Sequence, residues 1–287
     1  MTNTKSEVFT PSLIIVQNDK GGMGKSTVAK QTFETAVEKF GSDHVILADC
    51  DHNNNSSYRS YEGSGHQVFQ VDLRETSDKK TLLNYATKYQ GKIIILDMPA
   101  GDVDNITQLS ENLNDIEVFI NAFKRKGFKV KVVIPVLAGD CSNLPDHYDI
   151  YQDLVEYFIV KNMRGSKKEE NYSEDWKSFE VNARPFAEST LGIDTLVQAP
   201  DPANKNPSKT VLIGYTKNCI LMSPLGAAIL EQFMNEVGRT NPDGKKTILP
   251  PISLDNIEKV EDFITQNSLF AFHSAMANRI SKSDLFY

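Results

Sequence analysis

The residues best suited to do chemistry stand together near the N-terminus, as Asp19-Lys20-Gly21-Gly22-Met23-Gly24-Lys25-Ser26-Thr27. Glycines let backbone N–H groups close around phosphate oxygens, a lysine supplies positive charge, and a hydroxyl can ligate Mg²⁺. In this stretch Gly22 and Gly24 can approach a β-phosphate, Lys25 can neutralise the β- and γ-phosphates, and Ser26 can hold the metal. One position departs from the usual G-x-x-x-x-G-K pattern: Asp19 occupies the place of the first glycine, and Lys20 follows it. A second lysine inside the loop is extra positive charge beside the same phosphates. The competing reading is a Gly-rich turn that happens to carry lysines, which requires several residue types to coincide at fixed offsets.

Two further acidic positions end apolar runs. Val45-Ile46-Leu47-Ala48 delivers Asp49-Cys50-Asp51, and Ile93-Ile94-Ile95-Leu96 delivers Asp97. A metal-bound triphosphate attracts carboxylates, and hydrolysis needs a polar group on the attacking water. Solvated acidic turn for Asp49 and Asp51, and helix cap for Asp97, are the structural alternatives. Asn162 closes the later run Tyr157-Phe158-Ile159-Val160-Lys161, where an asparagine also suits a plain turn.

The elements that must position these residues follow from periodicity. Leu13-Ile14-Ile15-Val16 is a short apolar strand directly before the loop, and residues Thr27 to Phe40 carry helical spacing up to a stop at Gly41. Phosphates would then sit on a helix N-terminus. Further strands are expected at Val68–Leu73, Val130–Val136 and Tyr157–Asn162, and helices at Lys79–Tyr89, Leu113–Lys126 and within Leu144–Tyr157. Strands alternating with helices predict an α/β, doubly wound, mainly parallel sheet with helices on both faces. The pattern lapses from about 163 to 194, read as an insertion. Leu196–Pro200 and Val211–Gly214 are offered as returns to the sheet, with a helix at Pro224–Val237. A turn-rich linker, Asn241-Pro242-Asp243-Gly244, opens the tail, which carries two helices at about Leu254–Gln266 and Leu269–Ile280. The expected division is a phosphate-binding α/β domain over 1–240 and a helical extension over 241–287 packed on it.

Composition sets outer limits. With 287 residues, 40% hydrophobic and 24% charged, the chain suits one large α/β domain with additions. No stretch approaches the ~20 apolar residues of a membrane helix, and the polar N-terminus lacks a secretory signal, so a cytoplasmic protein is expected. Cys50, Cys141 and Cys219 are too far apart for a disulfide framework or a metal cluster. A net charge of −7 argues against a protein that coats nucleic acid with its whole surface. Local candidates remain: Lys124-Arg125-Lys126 with Lys129 and Lys131 as a basic patch that could touch DNA phosphates, with a solvated helix end as the preferred reading. The face Leu269, Phe270, Phe272, His273, Met276 and Ile280 is read as packing on the body rather than on a membrane, because only Arg279 and Lys282 are basic there.

Lys-Gly-Gly-Met-Gly-Lys-Ser-Thr resembles the deviant Walker A loop of the ParA/MinD group of dimerising ATPases. The resemblance covers residues 13 to 101 and is loose beyond them. It implies a P-loop NTPase fold of the SIMIBI type, ATP and Mg²⁺ as cofactors, and slow, partner-stimulated hydrolysis. It assigns Gly21, Gly22, Met23, Gly24, Lys25, Ser26 and Thr27 to the nucleotide, and Lys20 to a lysine reaching a partner subunit's nucleotide in an ATP-state homodimer. Asp51 is assigned to the attacking water, Ser26, Asp49 and Asp97 to the metal, Gly101 to a second switch, and Asn162 with Asp201 to adenine. Where relatives often continue with Pro-Gln-Gly, this chain has His52-Asn53-Asn54.

Within that family the Asp-Cys-Asp-His-Asn-Asn-Asn-Ser-Ser stretch looks most like the TraL-like and StbB-like plasmid proteins, which implies partition, stability or conjugative transfer and a possible non-specific DNA partner. The alternatives carried beside it are a MinD-like positioning ATPase at a membrane, a dethiobiotin synthetase-type ligase, an iron protein-type reductase for which Cys141 is the one candidate ligand, and a pseudo-ATPase binding module.

Overall fold

The computed structural model describes residues 8–101, 116–137, 139–164, 179, 182–183, 197–200, 210–213, 219–222, 237–240, 246–249, 251, 253–260 and 263–287. Its centre is a seven-stranded sheet built from β1 (Ser12–Val16), β2 (Val45–Asp49), β3 (Val68–Gln70), β4 (Ile93–Asp97), β5 (Lys129–Leu137), β6 (Glu156–Asn162) and, later in the chain, β9 (Cys219–Met222). The spatial order is β3-β2-β4-β1-β5-β6-β9, and every pairing is parallel. Parallel strands require crossovers, and helices supply them: α1 (Lys25–Phe40), α2 (Ser56–Tyr61), α3 (Thr76–Lys88), α4 (Ile116–Lys124) and α5 (Leu144–Tyr151). The expected doubly wound α/β architecture is present.

The strands are apolar throughout because both faces are covered. In β1, Leu13 and Ile15 enter one core with Phe119, Ile120 and Phe123 of α4 and Leu82 and Tyr85 of α3. Ile14 and Val16 enter the other, with Val28, Ala29 and Phe33 of α1. Register fixes the functional edge. Val16 lies opposite Asp97, and Asp49 lies opposite the same Asp97 on its other side. Three strand ends, two of them acidic, therefore stop at one level.

Several elements differ from the pattern-based expectation. The strands β7 (Val197–Pro200) and β8 (Thr210–Ile213) pair antiparallel with each other in a separate ribbon, and the main sheet is extended by β9. Pro200 offers no N–H to a ladder, which suits a short ribbon better than a central strand. Val237, expected to end a helix, begins β10 (Val237–Thr240), which pairs with β11 (Lys246–Leu249). Residues 223–236, most of the 163–194 insertion and Asp201 lie outside the described residues.

In the C-terminal segment a 3-10 turn at Leu254–Lys259 precedes one helix, α6 (Phe263–Lys282), in place of two. Asn267 and Ser268, read as a break, bond back to the carbonyls of Phe263 and Ile264 at 2.8 Å each and stay helical. Helix α6 seats Phe272, Met276 and Ile280 in the second core and also buries Leu269, while Phe270 is 49% exposed. No helix among the described residues is long and apolar enough to cross a membrane.

The basic patch also divides. Lys124, Arg125 and Lys126 are exposed, but Lys131 is fully buried. Its ammonium donates to main-chain oxygens of Asp284 (2.7 Å), Leu285 (3.0 Å) and Tyr287 (2.8 Å), so it fastens the C-terminal residues to the sheet. Replacing Lys131 by Met leaves three buried carbonyls short of a charged donor and is expected to cost about 2–3 kcal/mol. Urea denaturation of the variant against the parent chain measures that loss; an unchanged midpoint contradicts the clamp.

Candidate functional site

The loop leaves β1 under tight control. Gln17 donates its N–H to the Val133 carbonyl at 3.0 Å, and its side-chain oxygen accepts from the buried Tyr151 hydroxyl at 2.6 Å. Asn18 donates to Pro135 O (2.8 Å), while its own side-chain oxygen accepts from Lys20 N (2.9 Å) and from Asn143 (2.8 Å). The turn then needs left-handed backbone at Gly22 (φ +76°) and Gly24 (φ +98°), which a side chain rarely tolerates. At Gly24 there is no room either: a Cβ would lie 2.9 Å from Asn162 Nδ2 and 3.0 Å from Met222 Cε. Helix α1 begins at Lys25 without a side-chain cap. Its first N–H groups are thus available to an anion, and the helix dipole favours one.

A cavity of about 230 Å³ opens over this helix start, lined by Gly21, Gly22, Gly24, Lys25, Ser26, Thr27, Asp51, Asn54, Ala100, Asn162, Arg164, Met222 and Phe272. Eight of the residues singled out from sequence therefore meet on one cavity: the loop glycines, Lys25, Ser26, Thr27, Asp51 and Asn162. Met23 is buried beneath it, and its carbonyl accepts from Asn162 Nδ2 at 3.0 Å. The Asn162 side-chain oxygen accepts from Arg164 N at 3.0 Å, so this amide ties the loop to the end of β6.

Asp49 and Asp97 stand behind the cavity wall, both fully buried. Asp49 accepts backbone N–H bonds from Asp51 (3.0 Å) and Tyr58 (2.9 Å), which hold the segment after β2 against the sheet. Asp97 accepts from the Ser57 hydroxyl at 2.6 Å, and Ser26 and Lys25 further favour its charge. Its Oδ1 has no partner. Desolvation pushes both carboxyls above their ordinary range, Asp49 with help from the neighbouring Asp97 charge. Burial pulls the Lys25 ammonium down, against the attraction of Asp97, Asp51 and Asp19. A buried carboxylate oxygen lacking a donor, with the Ser26 hydroxyl on the same carboxylate, is a donor set that a hydrated divalent cation would satisfy.

Lys20 turns away from the cavity. Its ammonium pairs with Asp140 and donates to Ser142 Oγ at 3.1 Å, on the segment after β5. Its main-chain carbonyl instead accepts from Lys25 Nζ at 3.1 Å. The two lysines of the loop therefore do different things in the single chain: one faces the cavity, the other is held by the neighbouring loop. Asp51 is half-buried and caps its own turn, accepting from Asn53 N and Asn54 N at 3.1 Å each.

Sequence reasoning passed over several residues that complete the site. Lys30, one turn along α1, is fully buried, and burial lowers its ammonium to about 7 although Glu34, Asp97 and Asp49 pull it back up. A lysine in an apolar helix register was the available signal. Ser57, Arg164, Met222 and Phe272 left none, because only long-range packing brings them to the loop. Cys50 and Cys141 are buried free thiols.

A parallel sheet with helices on both faces, and a glycine loop leading from its central strand into a helix N-terminus, is the architecture of P-loop nucleotide-binding proteins. The chain matches no protein-family profile and no curated protein. Among solved structures it is similar to an ATP complex of McdA from Cyanothece, at 11% identity over 93% of this chain and 97% of that one, with a TM-score of 0.45. It is also similar to a plasmid partition protein from Borrelia burgdorferi (16% identity, 60% and 85% covered, TM-score 0.42). A third is the septum site-determining protein MinD from Pyrococcus horikoshii with Mg-ADP (13% identity, 56% and 73% covered, TM-score 0.37). Likenesses this distant leave the function to be read from the site's own residues.

The buried carboxylates have a measurable cost. Asp97 is protonated more readily in the fold, at about 6, than in the unfolded chain. Its contribution therefore opposes folding increasingly as pH rises from about 4 to 6. Asp97→Asn is expected to stabilise the ligand-free protein by on the order of 2 kcal/mol at pH 8, with the gain shrinking towards pH 5. Thermal unfolding at the two pH values checks this; an equal effect at both would remove the assigned cause.

Proposed function

We propose that this chain is a Mg-ATP-dependent dimerising ATPase switch of the ParA/MinD type, acting in plasmid DNA partition, stability or conjugative transfer. The observation that carries the reading is the convergence of Lys25, Ser26 and Asp51 on one cavity at a helix N-terminus, with Asp97 buried behind Ser26 and short of one donor. Backbone N–H groups around Gly22 and Gly24 bind the β-phosphate, Lys25 bridges the β- and γ-phosphates, and Thr27 lies towards the α-phosphate. Ser26 would ligate magnesium directly, and Asp97 and Asp49 would hold its water shell; the ion supplies charge neutralisation at the phosphates. Asp51 orients the attacking water from the cavity rim.

Lys20 supports the dimer. In the single chain it is held by Asp140 and Ser142, at the surface and 37% exposed, where a second subunit's phosphate could take it over. Two chains would then meet face to face, slow hydrolysis would separate them, and a protein partner would bind the dimer and stimulate turnover. Non-specific DNA is the proposed matrix, reached by the exposed Lys124, Arg125 and Lys126. An anionic membrane is the less suitable surface, because the C-terminal helix offers only Arg279 and Lys282 as lysine or arginine.

Five measurements test this. Lys25→Ala should weaken ATP binding at least about tenfold, since a charge-assisted phosphate contact is lost. Asp51→Ala should lower hydrolysis by about 100-fold or more while leaving ATP binding intact. With ATP and Mg²⁺ that blocked protein should elute from gel filtration as a dimer, and a monomer there would sink the sandwich. Lys20→Ala should keep ATP affinity and lose both dimer and turnover. DNA retention measured with ATP, ADP and no nucleotide at two salt concentrations checks the matrix: ATP-dependent, salt-sensitive binding supports DNA, and retention on anionic liposomes in its place favours a membrane role.

A further inference from the structure

The cavity lining has two chemically different parts. One, at the start of α1, is the phosphate end: loop backbone, Lys25 and Ser26. The other is four side chains from three separate elements: Asn162 and Arg164 at the end of β6, Met222 at the end of β9, and Phe272 of the C-terminal helix α6. Polyphosphate needs nothing apolar, so the second part calls for a different portion of the ligand.

We propose that Phe272 is the wall against which the base of the bound nucleotide packs, making the C-terminal helix part of the nucleotide site and a determinant of its specificity. The inference rests on the nucleotide reading above. Phe272 lines the cavity, belongs with Met222 to one core cluster and is only 5% exposed, so its side chain is held by packing. Its position is over-determined. The adjacent His273 is hydrogen-bonded to Gln31 Oε1 (3.0 Å) and lies 3.3 Å from Glu34 Oε2, both on α1, the helix that begins at the phosphate end. One turn further on, Met276 is fully buried against the same core. Met222 joins the wall to the loop, since its Cε lies where a Cβ on Gly24 would have to go.

The chemistry of this second part suits a heteroaromatic ring. An apolar and aromatic wall accepts the face of a base, and a polar rim meets its edge. Asn162 spends one amide hydrogen on Met23 O and one lone pair on Arg164 N, which leaves one donor and one acceptor for that edge.

The test compares ligands that share the phosphates and differ in the base. Phe272→Ala in the full chain should weaken ATP and ADP by the same factor, about 5- to 100-fold, the range for losing one base–aromatic contact. Inorganic tripolyphosphate should bind the variant and the parent within about twofold. Equal loss of tripolyphosphate, or unchanged ATP affinity in a variant that melts normally, overturns the proposal. Should Phe272→Ala fail to fold, Phe272→Trp decides: its emission, after subtraction of Trp176 in the parent chain, should change with ATP and not with tripolyphosphate, and no change with ATP overturns the wall. A parent chain that binds tripolyphosphate but not ATP defeats this inference alone. Binding of neither defeats the nucleotide reading itself.

Discussion

Two carboxylates are buried side by side at one edge of the sheet, and much of the rest of the protein is arranged around that burden. Parallel register places Asp49 next to Asp97, and Asp97 next to the end of β1, with both side chains inaccessible to water. Like charges in a desolvated layer raise each other's proton affinity and oppose folding. The chain offsets this with backbone N–H groups from Asp51 and Tyr58, the Ser57 hydroxyl, and the ammonium groups of Lys25 and Lys30 on the helix that packs over them. One carboxylate oxygen is still left over. In the proposed function a hydrated cation would take up that oxygen, joining the loop and the carboxylates in one site.

The same requirement explains why α1 is not an ordinary amphipathic helix. A surface helix would turn its polar residues to water, but Lys30, Gln31, Thr32, Glu34 and Thr35 are all buried. Helix α6 covers the side that would otherwise be exposed, and a polar network runs between the layers. Glu34 accepts from the Tyr61 hydroxyl (2.8 Å), from Gln31 (2.8 Å) and from Leu254 N (2.9 Å), and lies beside His273. Glutamate thereby connects α2, which follows the Asp51 loop, to the C-terminal segment. Tyr61, Glu34 and His273 thus form a continuous polar path from α2 to α6.

What could be read before folding was local. The loop's glycines, Lys25 and Ser26, and the aspartates that end apolar runs, are patterns of adjacent residues, and the strands and helices next to them follow from periods of two and 3.6. Boundaries shifted by a few residues: α1 starts at Lys25 and α3 at Thr76. The readings that changed depended on distant partners. Val197–Pro200 and Thr210–Ile213 are apolar enough to join the main sheet, yet pair with each other. Lys131 looked like surface charge by composition, but main-chain oxygens more than 150 positions away bury it. Nothing in the sequence near Phe272 or Met222 distinguishes a cavity wall from ordinary core.

The sequence by itself determined that a phosphate-binding turn follows a buried strand, that it carries a second lysine, and that two more strands end in acid. These are properties of short segments, set by backbone freedom at glycine and by side-chain charge. Only the tertiary structure decided which of those groups face one another. Strand register brought Asp49 against Asp97, the end of β6 carried Asn162 under Met23, the segment after β5 took hold of Lys20, and a helix from the other end of the chain closed the cavity with Phe272. Register and packing are long-range solutions in which most buried polar groups find partners far along the chain, so they are written in the whole chain and in no single stretch of it.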